Sequence, residues 1–381
     1  MRKDTKIVEA GRRPSEQFGA VNTPVYRAST ILFPDVETLF SGKQPYTYGT
    51  RGTPTTRALE EALTELEGGA RTVLVPSGLT AVALGVLTVC GAADHILIAD
   101  SCYGPTRHLA EKLLKRFGIE AGYYDPLIGA GIASQFRANT KAVLLESPGS
   151  YTFEIQDVPA IVKAAREKGV ATMIDNTWGT PLLFDALAHG VDISIHAATK
   201  YVGGHADLLM GYVTATDAWR NALVETHGAL GLCVGGDDAY LALRGLRTMS
   251  VRLKRHGETA LALARWLETR PEVARVLYPA LESDPGHALW KRDFKGACGL
   301  FGVALKPASD KAVAAMIDGL TLFGIGYSWG GYESLIVPAR IVRKVRPWTE
   351  GPLLRLHAGL EDVEDLQADL DAGFARLRAA A

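Results

Sequence analysis

The segment ATMIDNTWGTPLLFDALAHGVDISIHAATK, residues 171–200, contains two short apolar runs, each followed by a polar residue suited to chemistry. The first run, Ala171–Ile174, leads into Asp175, and the second, Ile193–Ile195, is followed closely by Lys200. Apolar runs of this length that alternate with helical stretches predict β-α-β units and a mainly parallel sheet. Ligands bind at the carboxyl edge of such sheets, so we expect Asp175 and Lys200 to lie near each other at that edge.

The same alternation extends to both sides of this segment, over residues 53–246. The further strand-like runs are Val73–Val75, Ile96–Ala99 and Ala142–Leu145, and the helical stretches include Arg107–Phe117 and Asp157–Lys168. The pattern predicts a large α/β domain that binds a ligand at the carboxyl ends of its strands.

The two ends of the chain have different patterns. Residues 1–52 are rich in Pro, Gly, Thr and Tyr without a sustained period, which predicts an N-terminal arm that contacts a partner subunit. Residues 247–381 begin with the helical stretch Met249–Arg270 and then mix the strand-like runs Leu300–Leu305 and Leu353–His357 with helices. They predict a smaller C-terminal α/β domain.

Composition excludes several classes of protein. The 381 residues include 41 Lys and Arg and 42 Asp and Glu, a net charge of −1 that gives no basic surface for nucleic acid or an anionic membrane. Hydrophobic residues make up 47 %, enough for a large core, and the 4 cysteines lack the spacing of a zinc site. The polar N-terminus has no apolar run typical of a signal peptide, so we expect a cytoplasmic protein. The cysteine spacing leads us to expect no metal site.

A turn of small residues, Pro76–Gly78, opens a predicted helix and is a second candidate for ligand binding. Backbone N–H groups at a helix start can bind a phosphate. A lysine, an acid and a phosphate-binding turn are the groups that pyridoxal 5'-phosphate requires: the lysine bonds the cofactor, the acid holds its ring nitrogen, and the turn takes its phosphate. Each group alone also fits an ordinary structure, namely a solvated loop lysine, a strand-end aspartate and a simple N-cap. The combination favours an α/β enzyme with a phosphate-bearing cofactor.

Longer stretches give the chain a family resemblance. The segments AATKYVGGHAD (197–207) and MIDNTW (173–178) resemble the Cys/Met-metabolism family of fold-type-I pyridoxal phosphate enzymes, and the similarity spans about residues 10–375. Five further segments support it: ESPGS (146–150), LRGLRTMSVRLKRH (243–256), PGHALWKRDFKGACGLF (285–301), YSWGGYESL (327–335) and LLRLHAGLED (353–362).

The resemblance implies a fold and a set of site residues. The fold is a seven-stranded sheet in a large domain with a smaller C-terminal domain, assembled as a homotetramer of catalytic dimers. Lys200 and Tyr103 are the implied catalytic residues. The implied cofactor ligands are Lys200, Asp175, Tyr103, Gly78, Leu79, Thr199, Tyr48 and Arg51. The implied substrate ligands are Arg355, which would bind the α-carboxylate, together with Ser328, Trp329 and Tyr48.

Two positions depart from the family pattern. The arm of the family usually contains Tyr-x-Arg, both residues reaching the phosphate of the neighbouring subunit. Here Tyr48 matches, but Thr50 occupies the usual arginine position, which leaves Arg51 as a replacement. Many γ-acting members also have a serine three residues before the lysine, where this chain has Ala197.

Within the family, the resemblance is to the members that act at Cβ. It implies β-elimination of L-cystathionine to homocysteine, pyruvate and ammonia, in the transsulfuration route of methionine biosynthesis. The γ-acting members tend to have T-P-T-N-P where this chain has Ser147–Ser150, and Glu and Leu in place of Tyr327 and Trp329. These aromatic residues predict a tighter, more apolar pocket. The alternatives are a γ-lyase or γ-synthase, a β-lyase that prefers cysteine or another thioether, and a non-catalytic binding protein.

Overall fold

The computed structural model describes residues 1–380, which form two sheets with helices around them. The N-terminal segment contains the helices α1 (Lys3–Glu9), α2 (Val36–Ser41) and α3 (Pro54–Glu67). Helix α3 begins at a capping box of Thr53 and Thr56 with Pro54 at its first turn, and it ends where Gly68 adopts φ 70°. Helix α1 contacts α3 and the helix Gly236–Arg247, so the start of the chain packs on helices that lie later in the sequence.

A seven-stranded sheet forms the centre of the larger part. Its strands are β1 (Arg71–Val75), β2 (His95–Ala99), β3 (Glu120–Tyr124), β4 (Thr140–Glu146), β5 (Ala171–Asp175), β6 (Ile193–Ala197) and β7 (Gly211–Ala215). They are arranged in the order β1-β7-β6-β5-β4-β2-β3. Strand β7 is antiparallel to both of its neighbours, and the other pairs are parallel. The prediction of a mainly parallel seven-stranded sheet is therefore confirmed, with one reversed strand.

Helices cover both faces of this sheet. They are α4 (Gly78–Val89), α5 (Gly104–Leu109, extended by a π-helical turn to Leu114), α6 (Val158–Glu167), α7 (Thr180–Leu183), α8 (Arg220–Ala229) and α9 (Gly236–Arg247). Successive strand residues point to opposite faces, so Met173 and Ile174 are buried in two separate apolar clusters. The sheet is thus buried on both sides, as parallel sheets usually are, and only its strand ends remain available for polar chemistry.

A buried polar network ties α3 to the strand that leads to Lys200. The carboxylate of Glu67 lies 2.6 Å from His196 Nε2 and accepts the hydroxyl of Tyr212 at 3.0 Å. Burial alone would raise the pKa of Glu67, but His196 and the hydrogen bonds outweigh it and lower that pKa. His196 is therefore a buried histidine whose Nε2 is paired within the core.

The C-terminal part contains a second, five-stranded sheet. Its strands are β8 (Val273–Leu277), β9 (Leu300–Leu305), β10 (Gly324–Ile325), β11 (Leu335–Ala339) and β12 (Leu353–His357), in the order β10-β11-β12-β9-β8. The helices α10 (Met249–Glu268), α11 (His287–Asp293), α12 (Asp310–Asp318) and α13 (Val363–Ala379) belong to this part. Strand β12 is buried along its whole length and carries Arg355 at its centre. The domain boundaries after residues 52 and 246 stay a prediction.

No helix among residues 1–380 is both long and apolar enough to cross a membrane.

Candidate active site

The acid and the lysine that the sequence analysis singles out lie at the same edge of the large sheet. Asp175 is the last residue of β5, and it pairs in register with Glu146 of β4 and Ile195 of β6. Lys200 follows the end of β6 by one turn of chain, and its N–H donates to the carbonyl of Ala197 at 3.1 Å. The parallel pairing of these strands brings both side chains to one edge, as expected.

Lys200 is held in a half-buried position by the C-terminal part of the chain. Its Nζ donates to Ser328 Oγ at 2.8 Å and lies 5.3 Å from the centre of the Trp329 ring. Burial lowers the pKa of Lys200 to about 8, and the nearby charge of Arg355 adds to this effect, whereas Asp175 opposes it. An amine with such a pKa is partly neutral near neutral pH, which a nucleophile or general base requires.

Asp175 is half-buried beside a second carboxyl group. Its Oδ1 accepts the N–H of Thr177 at 3.1 Å. Burial raises the pKa of Asp175, while Thr177, His196 and Lys200 offset only part of that increase. A protonated ring nitrogen of the expected cofactor, next to the Asp175 carboxyl, would favour the charged carboxylate. It would also remove the free-energy cost of burying that charge without a partner.

The start of α4 presents backbone N–H groups at the same edge. Ser77 is the N-cap and accepts the N–H of Thr80 at 3.2 Å, so Gly78 and Leu79 begin the helix without intrahelical acceptors. A Cβ on Gly78 would lie only 2.5 Å from Cβ of Ala197. Helix α4 therefore approaches the end of β6 so closely that only glycine fits, which places the first turn of the helix near the segment that leads to Lys200.

Thr199 is engaged elsewhere. Its hydroxyl donates to the carbonyl of Met210 at 3.1 Å and accepts the Met210 N–H at 3.0 Å. The only proton of the hydroxyl is thus already used within the chain. A hydrogen bond from Thr199 to a phosphate stays a prediction and requires the hydroxyl to rotate.

Tyr103 lies beside the two carboxyl groups. Its backbone N–H donates to Glu146 Oε2 at 2.8 Å, and its side chain is 42 % exposed. Burial raises the pKa of Tyr103, and the charges of Glu146 and Asp175 act in the same direction. The ring is therefore a neutral aromatic surface that is accessible at the sheet edge, which suits stacking on a planar ligand.

Arg355 is a buried guanidinium without a carboxylate partner among residues 1–380. Its Nη2 donates to the carbonyl of Tyr327 at 2.7 Å, and its Cζ lies 5.5 Å from the ring centre of Tyr151. Its Nε is buried and makes no hydrogen bond in the described chain. Burial lowers the pKa of Arg355, as expected for a charge that lacks its counter-ion. A planar carboxylate ligand would fill this gap.

One expected feature of the pocket, its tight aromatic wall, stays a prediction. The sequence predicts that Tyr327 and Trp329 form a tight apolar wall, yet the Tyr327 side chain is 82 % exposed. The backbone carbonyl of Tyr327 accepts a hydrogen bond from Arg355. Only Trp329 packs inward, with its ring 5.4 Å from that of Tyr201.

Tyr48 and Arg51 are not brought together with the other site residues of this chain. Arg51 lies against α8, where a Cβ on Gly228 would be 2.1 Å from its Nη1. It lines a cavity of about 770 Å³ together with Arg71 and Arg220. Tyr48 is 50 % exposed. Their roles in the site of a neighbouring subunit stay a prediction.

Three residues at the site have no assigned role in the sequence analysis: Glu146, Tyr151 and His357. A signal exists for Glu146, because it ends the apolar run of β4 in the same way as Asp175 ends β5. His357 lies two residues after Arg355 on the same strand, which is also visible in the sequence. Tyr151 contacts Arg355 across about two hundred residues, and its backbone adopts φ 65°, which no local pattern indicates.

Comparison with known proteins identifies the family. A model of the Cys/Met metabolism PLP-dependent enzymes matches residues 4–375. The chain belongs to this family. Cystathionine β-lyase MetC of Escherichia coli is 46 % identical over 389 residues, which cover 98 % of each chain. An L-alanine/L-glutamate racemase of Wolbachia pipientis is 41 % identical over 396 residues, which cover 99 % of this chain and 98 % of the racemase.

Solved structures agree with this assignment. The crystal structure of cystathionine γ-synthase from Xanthomonas oryzae pv. oryzae in complex with aminoacrylate and cysteine superposes with a TM-score of 0.93. It is 35 % identical in sequence and covers 100 % of both chains. The predictions of the family, of the fold type and of pyridoxal phosphate as the cofactor are therefore confirmed.

Proposed function

We propose that the protein is a carbon–sulfur lyase that catalyses β-elimination of L-cystathionine to homocysteine, pyruvate and ammonia. The observation that carries the proposal is that Arg355 and Asp175 both lie close enough to Lys200 for their charges to act on its amine. An acid, an amine of lowered pKa and an unpaired guanidinium are the groups needed to bind an amino acid and remove its Cα proton. The similarity to the β-lyase of E. coli over almost the whole chain supports cystathionine as the substrate.

The residues at the sheet edge fit the cofactor of the family. Lys200 would bond it covalently, Asp175 would pair with its ring nitrogen, and Tyr103 would cover its ring face. The amides of Gly78 and Leu79 would bind the phosphate at the start of α4, where the close contact with Ala197 leaves no room for a side chain. The raised pKa of the Asp175 carboxyl, which has no cationic partner in contact, is explained if the carboxyl faces a cationic ring nitrogen.

Each side chain has a distinct task in the proposed reaction. The bound cofactor supplies an electron sink for the negative charge that develops at the substrate Cα. Arg355 binds the α-carboxylate, which orients the Cα–H bond toward Lys200. The Lys200 amine removes the Cα proton and, as an ammonium group, gives a proton to the sulfur when the Cβ–S bond breaks. Ser328 orients Nζ through its hydrogen bond, and Trp329 limits the access of water to the amine.

The products of L-cystathionine test this proposal. We expect equal amounts of pyruvate and homocysteine, because elimination at Cβ leaves a three-carbon fragment that water converts to pyruvate and ammonia. Elimination at Cγ would instead give 2-oxobutyrate and cysteine. Chromatographic quantification of both keto acids and both thiols decides between them, and a panel with cysteine and other thioethers measures substrate breadth. Detection of 2-oxobutyrate as the main keto acid would contradict the proposal.

A second candidate is amino-acid racemisation, favoured by the similarity to the Wolbachia racemase. It begins with the same removal of the Cα proton but returns a proton to the opposite face. Incubation of L-alanine in D₂O, followed by chiral chromatography and mass measurement, distinguishes the two. Deuterated D-alanine that forms as fast as cystathionine is cleaved would make racemisation a principal activity.

We also propose that the chain works in the cytoplasm as a homotetramer of catalytic dimers, in which Tyr48 and Arg51 reach the phosphate of the neighbouring subunit. The exposed apolar side chains of the arm support burial against another subunit: Phe18 is 105 % exposed, and Leu32 and Phe40 are each 85 % exposed. The half-exposed ring of Tyr48 is consistent with a role outside its own chain.

Replacement of Arg355 by leucine is expected to raise KM for L-cystathionine by about 10- to 100-fold, the effect of losing a charge-assisted carboxylate contact. The kcat should fall less, because the Lys200 amine remains, although the carbonyls of Gly326 and Tyr327 lose their hydrogen bonds from Arg355. Steady-state kinetics measure both constants. Arg340→Leu removes an exposed arginine from the same part of the chain and serves as the control. An unchanged KM in Arg355→Leu would remove Arg355 from the substrate site.

A further inference from the structure

The loop that contacts Lys200 is held at both ends by strand β12. The segment Gly326–Gly331 runs along this strand. At its first end, Arg355 Nη2 donates to the carbonyls of Gly326 at 3.2 Å and Tyr327 at 2.7 Å. At its other end, the N–H of Gly330 donates to Nε2 of His357 at 3.1 Å. Arg355 and His357 are two residues apart on one strand, so their side chains lie on the same face and form a pair of anchors.

The segment between these anchors carries the groups that touch the lysine. Ser328 Oγ accepts the hydrogen bond from Lys200 Nζ, and the Trp329 ring lies beside it. Gly330 is pressed against the backbone of Lys200, because a Cβ on it would lie 2.9 Å from the Lys200 carbonyl carbon. Its φ of 87° is also a conformation that other residues rarely adopt. The position of Gly330 therefore determines where Ser328 and Trp329 meet the amine.

His357 can hold Gly330 only as a neutral acceptor. The Gly330 N–H points at Nε2, so this hydrogen bond requires the tautomer with a lone pair on Nε2 and the hydrogen on Nδ1; Nε2 also lies 3.3 Å from the carbonyl of Gly331, and Nδ1 has no partner in the described chain. The side chain is 1 % exposed, and its ring lies 5.1 Å from that of His256 and 5.9 Å from that of Tyr201. Burial lowers the pKa of His357 well below its ordinary value, and the neighbouring His256, Arg355 and Lys200 add to this effect. The imidazole is therefore neutral at physiological pH.

We propose that His357 is a positioning residue of the elimination reaction, which fixes Gly330 through Nε2 and thereby holds Ser328 and Trp329 against the Lys200 amine. The inference depends on the proposed function, because the step that His357 supports is proton transfer by Lys200. When His357 is replaced, Arg355 still binds the carbonyls of Gly326 and Tyr327 at the opposite end of the loop. Loss of the His357 anchor should therefore reduce kcat while KM, which reflects carboxylate binding, changes little.

Two amide variants of the holoenzyme test this role. The side-chain oxygen of His357→Gln reaches the position of Nε2, whereas that of His357→Asn reaches only the position of Nδ1. We expect His357→Asn to lower kcat for cystathionine cleavage about tenfold with KM within about twofold, and His357→Gln to restore most of the kcat. Hydrogen exchange of the peptide that contains Gly330, followed by mass spectrometry, should be about tenfold faster in His357→Asn and near wild type in His357→Gln.

The outcomes separate the inference from the proposed function. If the wild-type protein does not form pyruvate and homocysteine, the proposed function fails, and the exchange measurements alone still test the anchor. If the wild type is active, an unchanged kcat in His357→Asn overturns the inference, as does an equal loss of kcat in both variants. If His357→Asn does not fold, the decision falls to His357→Gln: near-wild-type kcat and exchange support the anchor, and reduced kcat with unchanged exchange overturns it.

Discussion

Replacement of Lys200 by alanine is expected to lower kcat for cystathionine cleavage by at least about 10⁴-fold, a loss typical of removing a group that acts in several steps of one reaction. The substitution removes the amine that would bond the cofactor and also the base that would take the Cα proton. The only hydrogen bond that Nζ makes among residues 1–380 is with Ser328, so the fold should survive its removal. A coupled assay for pyruvate measures the activity, and circular dichroism checks the fold.

Lys163→Ala is the matched control, because it removes an exposed lysine from the middle of helix α6 and should leave the activity unchanged. A second measurement does not depend on turnover. After treatment with borohydride, the peptide that contains Lys200 should carry the mass of the cofactor in the wild type, and no peptide should carry it in Lys200→Ala. Activity within tenfold of wild type, or a cofactor-bearing peptide from elsewhere, would show that another lysine binds the cofactor.

The strand ends could be predicted from the sequence because they follow from local patterns. A buried strand is a short apolar run, and a polar residue directly after it must lie at the sheet edge, as Asp175 does. Strands β3 and β7 carry no such pattern. Strand β3 is a half-buried edge strand of sequence EAGYY. Strand β7 follows a long loop and is antiparallel to both of its neighbours. The pairing of β7 with β1 joins segments far apart in sequence, so tertiary contacts rather than local preference decide it.

The contacts within the site depend on such long-range packing. The sequence places Arg355 in an apolar strand, but it does not reveal that Tyr151 covers the guanidinium or that His357 holds Gly330. Two glycines illustrate what the sequence shows and what only the structure shows. Gly78 and Gly330 could be selected from their motifs, yet the reasons for them, the approach of Ala197 and the backbone of Lys200, are visible only in three dimensions.

The strongest contrast in the site is between two neighbouring carboxyl groups, Asp175 and Glu146. They are paired across β4 and β5, and burial raises the pKa of both, further for Glu146 because Asp175 adds to the effect. Two adjacent buried acids do not both ionise readily, so the first to lose its proton is the one that gains a cationic partner. In the proposed site Asp175 would gain that partner from the cofactor, whereas Glu146 would keep its proton and accept only the N–H of Tyr103.

Asp175→Asn is therefore expected to reduce kcat by about 10²- to 10³-fold, in the range found when one electrostatic contact to a developing charge is removed. The neutral amide cannot stabilise a protonated ring nitrogen, so the affinity for the cofactor should fall as well. Glu146→Gln resembles the protonated acid and retains an oxygen for Tyr103, so its kcat should stay within about threefold of wild type. Steady-state kinetics and cofactor titration of both variants measure this difference. Equal losses in the two would mean that Glu146 carries the charge, and no loss in Asp175→Asn would remove Asp175 from the cofactor site.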